Sequence, residues 1–485
     1  MKLQMLVGPE TTAPSGCEGT EIAGLTADSR EVMPGWLFAA LRGVKADGAQ
    51  FIEGAVAKGA AAILAEDGVR LQPAVPVPLL TSQQPRRALA LMAARFYAAQ
   101  PDTVVAVTGT SGKTSVADFT RQVFAALGRK AASLGTIGLI RHDRSRYGGL
   151  TSPDPVTLHR MLAELAQDGT THLAIEASSH GLDQQRLDGI KVKAAAFTNL
   201  GHDHLDYHPS MEAYFAAKLR LFSEVLPADG VAVVNADAGQ AKDVIAVAQR
   251  SGRAIMTVGR AGETLALEAL APEGFAQRLR VCHGGRSTDI CLPLLGAYQA
   301  SNALIAAGLA MAAGEPAHLV LPALGNLQGV KGRLEVMGQV RGGLVVIDYA
   351  HKPDALSAAL AALRPFAPGK LICVFGCGGD RDKGKRPIMG GIAAAMADTV
   401  IVSDDNPRSE NARAIRAEIL AGAAGAREIG DRAEAIRAAA RLLGNGDVLL
   451  IAGKGHETGQ IIGSTVVPFS DHEAVRALLT ESKAE

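Results

Sequence analysis

The run Thr108-Gly109-Thr110-Ser111-Gly112-Lys113-Thr114-Ser115 carries the most readable chemistry in this chain. Its glycines let backbone N–H groups turn toward phosphate oxygens, the Lys113 ammonium can neutralise terminal phosphates, and the Thr114 hydroxyl can ligate Mg2+. A β-branched run, Thr103 to Val107, precedes it, and a helical pattern starting near Val116 follows, which is the context such a loop needs. Val107 stands where the common phosphate-loop pattern has its first glycine, leaving a shorter Gly-x-x-Gly-Lys-Thr. The loop implies binding of a nucleoside triphosphate but not its use, because motors, kinases and synthetases share it.

Further chemistry-bearing residues follow apolar strands. Leu173-Ala174-Ile175 runs into Glu176-Ala177-Ser178-Ser179-His180-Gly181, a carboxylate at the end of a strand where parallel sheets place ligands. Glu176 can hold Mg2+ directly or through water. A strand ending Phe197-Thr198-Asn199-Leu200 delivers Gly201-His202-Asp203-His204-Leu205-Asp206-Tyr207-His208, whose spacing fits none of the standard structural zinc patterns. Solvated histidines capping helices are the plain alternative for that loop. Lys218 falls on the apolar face of a helical run from Glu212, where a lysine snorkelling to water is the ordinary expectation.

The elements that must position these groups are legible from periodicity. Between about residues 101 and 334, short apolar strands (173–175, 194–198, 230–235) alternate with helical stretches, which implies a mostly parallel sheet covered by helices. The alternation restarts after Gly332-Arg333-Leu334-Glu335, with strands at 344–348, 371–375, 399–402 and 447–451. A smaller α/β unit precedes Gln100-Pro101-Asp102, a plausible linker after the helical Arg86 to Ala99. At 485 residues the chain exceeds one ordinary core, so the expected fold is α/β in three domains, 1–100, 101–334 and 335–485.

Composition narrows the function classes. Lys+Arg and Asp+Glu both number 49, so no global positive field exists to bind nucleic acid or an anionic membrane. The start, Met1 to Thr11, has no apolar stretch of signal-peptide length, and the apolar window Ala303 to Ala313 is too short to span a bilayer. A cytoplasmic protein with small-molecule partners, no nucleic acid and no membrane insertion is the expectation. Five cysteines without a Cys-x-x-Cys pair suit a reducing compartment and read as inert thiols.

Taken together, the phosphate loop, Glu176-Ala177-Ser178-Ser179-His180-Gly181, Thr198-Asn199-Leu200 with Asp203-His204-Leu205-Asp206-Tyr207-His208, and Asp348-Tyr349-Ala350-His351 resemble the Mur ligases. The resemblance covers nearly the whole chain in the family's order. It implies an N-terminal domain holding the UDP end of the substrate, a central ATPase domain, and a C-terminal Rossmann-like domain receiving an amino acid; three substrates from three domains make closure on binding the expectation, and a monomer is the expected working unit. It also implies a reaction: the D-Glu carboxylate of a UDP-linked muramoyl dipeptide attacks the ATP γ-phosphate, and the acyl phosphate is then attacked by an amine. That chemistry serves assembly of cell-wall peptidoglycan, and hence cell shape and division.

Carried over residue by residue, Lys113, Lys218, His204 and Glu176 match catalytic positions. Thr114, Glu176, His204 and a carbamylated Lys218 match the magnesium shell. Gly109 to Ser115 match the ATP phosphates, and Asn302, Arg333, Asp348 and His351 other positions around the ATP. Ser29 and the turn Val44-Lys45-Ala46 match the uracil end, while Thr151, Ser152, Ser178, Gln184 and Arg186 match positions that grip the muramoyl dipeptide. Val44, Gln299 and Lys352 depart from residues common in the family and bear on nucleotide contacts rather than on the reaction.

Asp404-Asp405-Asn406-Pro407-Arg408 is the discriminating motif. Members adding meso-diaminopimelate have Asp-Asn-Pro-Arg here, and those adding lysine lack the arginine; a guanidinium pairs with the second carboxylate that lysine does not have. Arg381, Asp405, Asn406, Pro407, Arg408, Gly453 and Glu457 are the candidate pocket, with Glu457 facing the distal ammonium. The rivals are a lysine-adding synthetase, a folylpolyglutamate-type ligase lacking the Asp28-Ser29-Arg30 unit, and a phosphate-loop ATPase doing conformational work. A surface ion pair is the plain alternative for Arg408.

Overall fold

The computed structural model describes residues 1–43, 46–69, 75–141, 151–481 and the backbone of 145–146. By internal contacts the chain forms two compact units, one of residues 1–263 with 308–316 and one of 264–307 with 317–485.

The first unit opens with a parallel four-stranded sheet, β1 (Gly24–Thr26), β2 (Trp36–Ala39), β3 (Ala62–Glu66) and β4 (Leu79–Ser82), in sequential order. The expected helix is present as Pro85–Tyr97, with Pro85 in its first turn and Ala98 in left-handed backbone ending it. Its apolar face, including Leu89, Met92 and Ala93, completes the core of this sheet.

A second sheet follows: β5 (Thr103–Thr108), β6 (Ala131–Gly135), β7 (Gly138–Ile140), β8 (Ser145–Arg146), β9 (His172–Glu176), β10 (Val192–Phe197), β11 (Val231–Asn235) and β12 (Ala254–Gly259). Its order is β12-β11-β10-β5-β9-β6-β7-β8, parallel except for the β6-β7-β8 edge. β5 is buried at all positions because it lies between β9 and β10, which is why it reads as an unbroken apolar run. The register decides where chemistry collects. Val107 pairs with Glu176 and Thr108 with Phe197, so three loops leave the C-terminal ends of adjacent strands at one level.

The second unit contains an antiparallel meander, β13 (Leu265–Glu273), β14 (Ala276–His283) and β15 (Arg286–Leu292). It also holds a six-stranded sheet of β16 (Glu335–Val340), β17 (Gly343–Asp348), β18 (Leu371–Phe375), β19 (Thr399–Val402), β20 (Arg427–Glu428) and β21 (Val448–Ala452). The order is β16-β17-β21-β18-β19-β20, with only β16 antiparallel. Asp348 pairs with Ala452 and Phe375 with Val402, so the loops that follow these four strands again emerge at one sheet end. A hairpin, β22 (Gly459–Ile462) and β23 (Thr465–Pro468), completes the unit. The sequence reading contained neither the meander nor this hairpin.

Candidate active site

The phosphate loop is shaped by a glycine that nothing else can replace. Gly109 has φ +146°, and a Cβ there would stand 1.9 Å from Thr198 Oγ1. The loop is laced to the end of β10: Thr110 N donates to Asn199 O at 2.9 Å, Ser111 N to Asn199 Oδ1 at 3.0 Å, and Thr198 Oγ1 to Ser111 O at 2.7 Å. Gly112 takes the left-handed conformation that caps the helix Lys113–Ala126, which therefore begins before the expected Val116. Thr114 and Ser115 are buried in its first turn. Lys113 Nζ donates to Gly109 O at 2.9 Å and Thr110 O at 2.8 Å, lying over the loop.

Lys218, on the helix Met211–Arg220, does not snorkel as a lysine on an apolar face ordinarily would; it is 1% exposed. Its Nζ donates to Gly109 O at 2.7 Å, sharing the carbonyl that also accepts from Lys113, and sits 4.2 Å over the Tyr214 ring. Burial first, and the Lys113 cation second, hold its pKa well below the usual lysine range. Burial and the neighbouring cation thus both disfavour the charged form of this side chain. Tyr214 bonds Thr110 Oγ1 at 3.1 Å, and burial pushes its phenol up to about 12.

Glu176 is buried at the end of β9, where its Oε1 accepts from Thr136 N at 2.8 Å and its Oε2 from Thr136 Oγ1 at 3.2 Å. These bonds leave lone pairs on both oxygens. Thr136 Oγ1 in turn meets Thr151 Oγ1 at 3.1 Å. Ser152 Oγ bonds Glu176 O and Ser178 Oγ, each at 3.0 Å, and Arg186 donates to Ser152 O at 2.7 Å and to Gln184 Oε1. The structure therefore brings all five candidate dipeptide residues into one network anchored on Glu176. His204, with φ +55°, stacks edge-on against His180 at 4.9 Å, and His180 also contacts Tyr207 and His208. Burial lowers the pKa of both His180 and His208, so these rings stay neutral.

Among the described residues, no three His, Cys, Asp or Glu side chains by themselves form a metal cage. Buried oxygen donors from Thr114 and Glu176 suit a hard cation that takes its remaining ligands from phosphate and water. Of the residues expected at the UDP end, Ser29 follows β1, where its carbonyl accepts from Lys58 Nζ at 2.8 Å, and Ala46 O accepts from Gly43 N at 2.9 Å. Val44 and Lys45 lie outside the described residues.

In the second unit a chain of contacts joins the other candidate nucleotide residues. Asn302 Nδ2 donates to Gln299 Oε1 at 2.9 Å, and Gln299 Nε2 to Arg333 O at 3.1 Å. Arg333 lies 4.9 Å over the Tyr349 ring, and its Nε is buried without a partner among the described residues. Asp348 accepts from Leu334 N at 2.7 Å and Ala350 N at 2.8 Å; burial raises its pKa against the pull of Arg333. His351 Nδ1 meets Tyr349 O at 2.8 Å, and burial keeps this ring neutral too.

The candidate amino-acid pocket assembles where the loops after β18, β19 and β21 converge. Arg408 has left-handed backbone, φ 52°, and donates from Nη1 to Gly379 O at 2.7 Å; it makes no ion pair among the described residues. Asn406 Nδ2 donates to Glu457 Oε2 at 2.9 Å, and Asn406 O accepts from Gly379 N at 2.9 Å. Pro407 follows in the same buried loop. Gly453, φ +115°, lets Asp405 approach: a Cβ would stand 2.9 Å from its Oδ2. Burial raises the Asp405 pKa, with Arg432 and Lys454 opposing. Arg381 is exposed on the loop after β18, with no hydrogen bond among the described residues. Sequence reasoning missed Lys454, a fully buried lysine touching Asn406 and Glu457; a lone lysine between two glycines carries no signal of burial.

Comparisons with known proteins match this arrangement along the whole chain. Three family models match in succession: the Mur ligase family catalytic domain over residues 21–97, the Mur ligase middle domain over 107–310 and the Mur ligase glutamate ligase domain over 332–455. A UDP-N-acetylmuramoyl-L-alanyl-D-glutamate–2,6-diaminopimelate ligase of Bradyrhizobium diazoefficiens is 56% identical, with both chains covered completely. A solved structure of a ligase of the same name is 32% identical, with TM-score 0.76, covering 100% of this chain and 99% of its own. Folylpolyglutamate synthase of Mycobacterium tuberculosis, solved with ADP and AMPPCP, covers 76% of this chain and 92% of its own at 20% identity and TM-score 0.62, a likeness of fold alone. Full-length identity at this level, on a fold whose loops gather the residues described above, places the chain in a single family: it belongs to the Mur ligases.

Proposed function

We propose that this protein is the ATP-dependent ligase that joins meso-2,6-diaminopimelate to UDP-N-acetylmuramoyl-L-alanyl-D-glutamate, a step of peptidoglycan precursor synthesis. The observation that carries this reading is the 56% identity, over its entire length, to a relative named for that activity. The Arg408 motif supports the choice of amino acid, because a guanidinium offers the second carboxylate of diaminopimelate a paired, charge-assisted contact.

A carboxylate is a poor acyl donor until one of its oxygens becomes a phosphate leaving group. The phosphate loop binds the ATP phosphates, and Lys113 neutralises charge as the γ-phosphoryl moves to the D-Glu carboxylate. Thr151, Ser152, Ser178, Gln184 and Arg186 hold the muramoyl dipeptide beside Glu176. Asn302, Arg333, Asp348 and His351 belong to the nucleotide, and Ser29 with residues 44–46 to uracil. Thr114, Glu176, His204 and Lys218 would hold Mg2+, which when bound screens the charge on the transferring phosphate. Lys218 serves as a carbamate made from carbon dioxide, which turns a buried cation into an anion. Its contact with Gly109 O and its lowered pKa support this.

Arg408 and Arg381 receive the carboxylates of the diamino acid and Glu457 its ammonium, with Asp405, Asn406, Pro407 and Gly453 shaping the pocket. The amine then attacks the acyl phosphate, and the tetrahedral intermediate collapses to amide and phosphate. The segments 1–100, 101–334 and 335–485 divide the three substrate tasks. Dependence on ATP and a nucleotide-linked sugar places the reaction in the cytoplasm, and the working unit is a monomer. Mass spectrometry of the nucleotide product after incubation with ATP, Mg2+ and both substrates tests the reading: a tripeptide mass supports it, and unchanged dipeptide with ATP consumed would contradict it.

A further inference from the structure

Lys454 has no task in the reaction as written, yet it is fully buried at the heart of the amino-acid pocket. Its Nζ donates to Asn406 Oδ1 at 3.1 Å and to Glu457 Oε2 at 3.2 Å, and lies 3.7 Å from Asp405 Oδ1. A buried ammonium persists only where oxygens of this kind compensate it. Ile461 N also donates to Asn406 Oδ1, at 2.9 Å, so two donors fix the amide and turn its Nδ2 toward Glu457 Oε2. Glu457 Oε2 thus receives both Asn406 and Lys454, while Oε1 accepts no hydrogen bond among the described residues.

We propose that Lys454 is a positioning residue that sets where the ammonium of the incoming diamino acid binds. Its own ammonium occupies the space between Asp405 and Glu457 and satisfies the inner oxygen of Glu457, so that only the outer oxygen, Oε1, is offered to substrate. Without it, Glu457 and Asp405, the latter still faced by Arg432, would lose the cation they share, and a substrate ammonium would be drawn inward between them. Its two carboxylates would then leave the reach of Arg408. The side chain is a built-in stand-in for a substrate amine, excluding that binding mode. The inference rests on the diaminopimelate reading.

Steady-state kinetics of the full chain test it, with Lys454→Met, Glu457→Gln and the double variant compared with wild type. Lys454→Met should raise KM for diaminopimelate at least about tenfold while leaving KM for ATP within about twofold, as loss of a charge-assisted contact predicts. In the Glu457→Gln background the same substitution should add little, because its effect passes through Glu457. An unchanged KM for diaminopimelate would overturn the proposal, as would equal rises in the KM of all three substrates. If Lys454→Met does not fold, the double variant, which removes one charge of each sign, is compared with Glu457→Gln alone: equal KM values support the proposal and a further tenfold rise contradicts it. Wild type that makes no product from diaminopimelate would sink the underlying reading instead.

Discussion

Arg408 holds a backbone conformation that costs a non-glycine residue about 1 kcal/mol or more. It is kept there by Arg408 N donating to Ile461 O at 3.0 Å and Gly463 N donating to Arg408 O at 2.7 Å, so the hairpin sets the guanidinium's direction. Replacing Arg408 by Ala should raise KM for diaminopimelate about 10- to 100-fold, the worth of charge-assisted hydrogen bonds, with KM for ATP little changed; initial-rate measurements decide it. Lys218 makes a second residue-scale prediction. 13C-bicarbonate should give a carbamate carbonyl resonance in wild type that is lost in Lys218→Ala, together with nearly all turnover. A spectrum identical in both proteins would remove the carbamate from the account. Glu176 was legible because a carboxylate at the end of an apolar strand points to a ligand, and Arg408 through the Asp-Asn-Pro-Arg motif of the family resemblance, whereas Lys454 was not: one lysine among glycines gives no sign of burial.

At the scale of elements, the site depends on strand ends brought level by register. Thr108, Glu176 and Phe197 are neighbours across β9-β5-β10, and their loops interlock through Thr198 and Asn199. Gly109→Ala therefore disturbs two loops at once. With a clash at 1.9 Å and φ +146°, it should cost about 2 kcal/mol or more of stability and abolish the thermal shift that ATP gives wild type. A normal ATP-induced shift in this variant would show that the loop does not bind phosphate as described. The parallel strands were readable because burial on both faces leaves an unbroken apolar run. The hairpin was overlooked although Ile462-Gly463-Ser464-Thr465 carries a tight-turn signal, and the β13–β15 meander because its outer faces are polar and weaken the apolar pattern.

For the molecule as a whole, buried neutral histidines shape the response to acid. Burial, aided by Arg333 and Lys331, pushes His456 from 6.5 down to about 4. Between those values the unfolded chain takes up a proton that the native state refuses, so the contribution is complete above pH 6.5 and lost as pH falls toward 4. Melting temperature should fall over that window, and His456→Gln should flatten the slope; equal slopes would show that other groups dominate. The three-domain α/β plan and its family followed from motif order, since four short motifs in the family's order leave little freedom for another fold. The position of one unit's residues relative to the other's does not follow from strand periodicity, which reports only local partners.

The central claim, that ATP is used to activate a carboxylate for a diamino acid chosen by Arg408, meets its most direct test in phosphate release. ATP, Mg2+ and UDP-N-acetylmuramoyl-L-alanyl-D-glutamate are supplied with either meso-diaminopimelate or L-lysine. The account predicts rapid release with diaminopimelate and little with lysine. Release preferring lysine would contradict the pocket, and release indifferent to either amino acid would contradict the ligase.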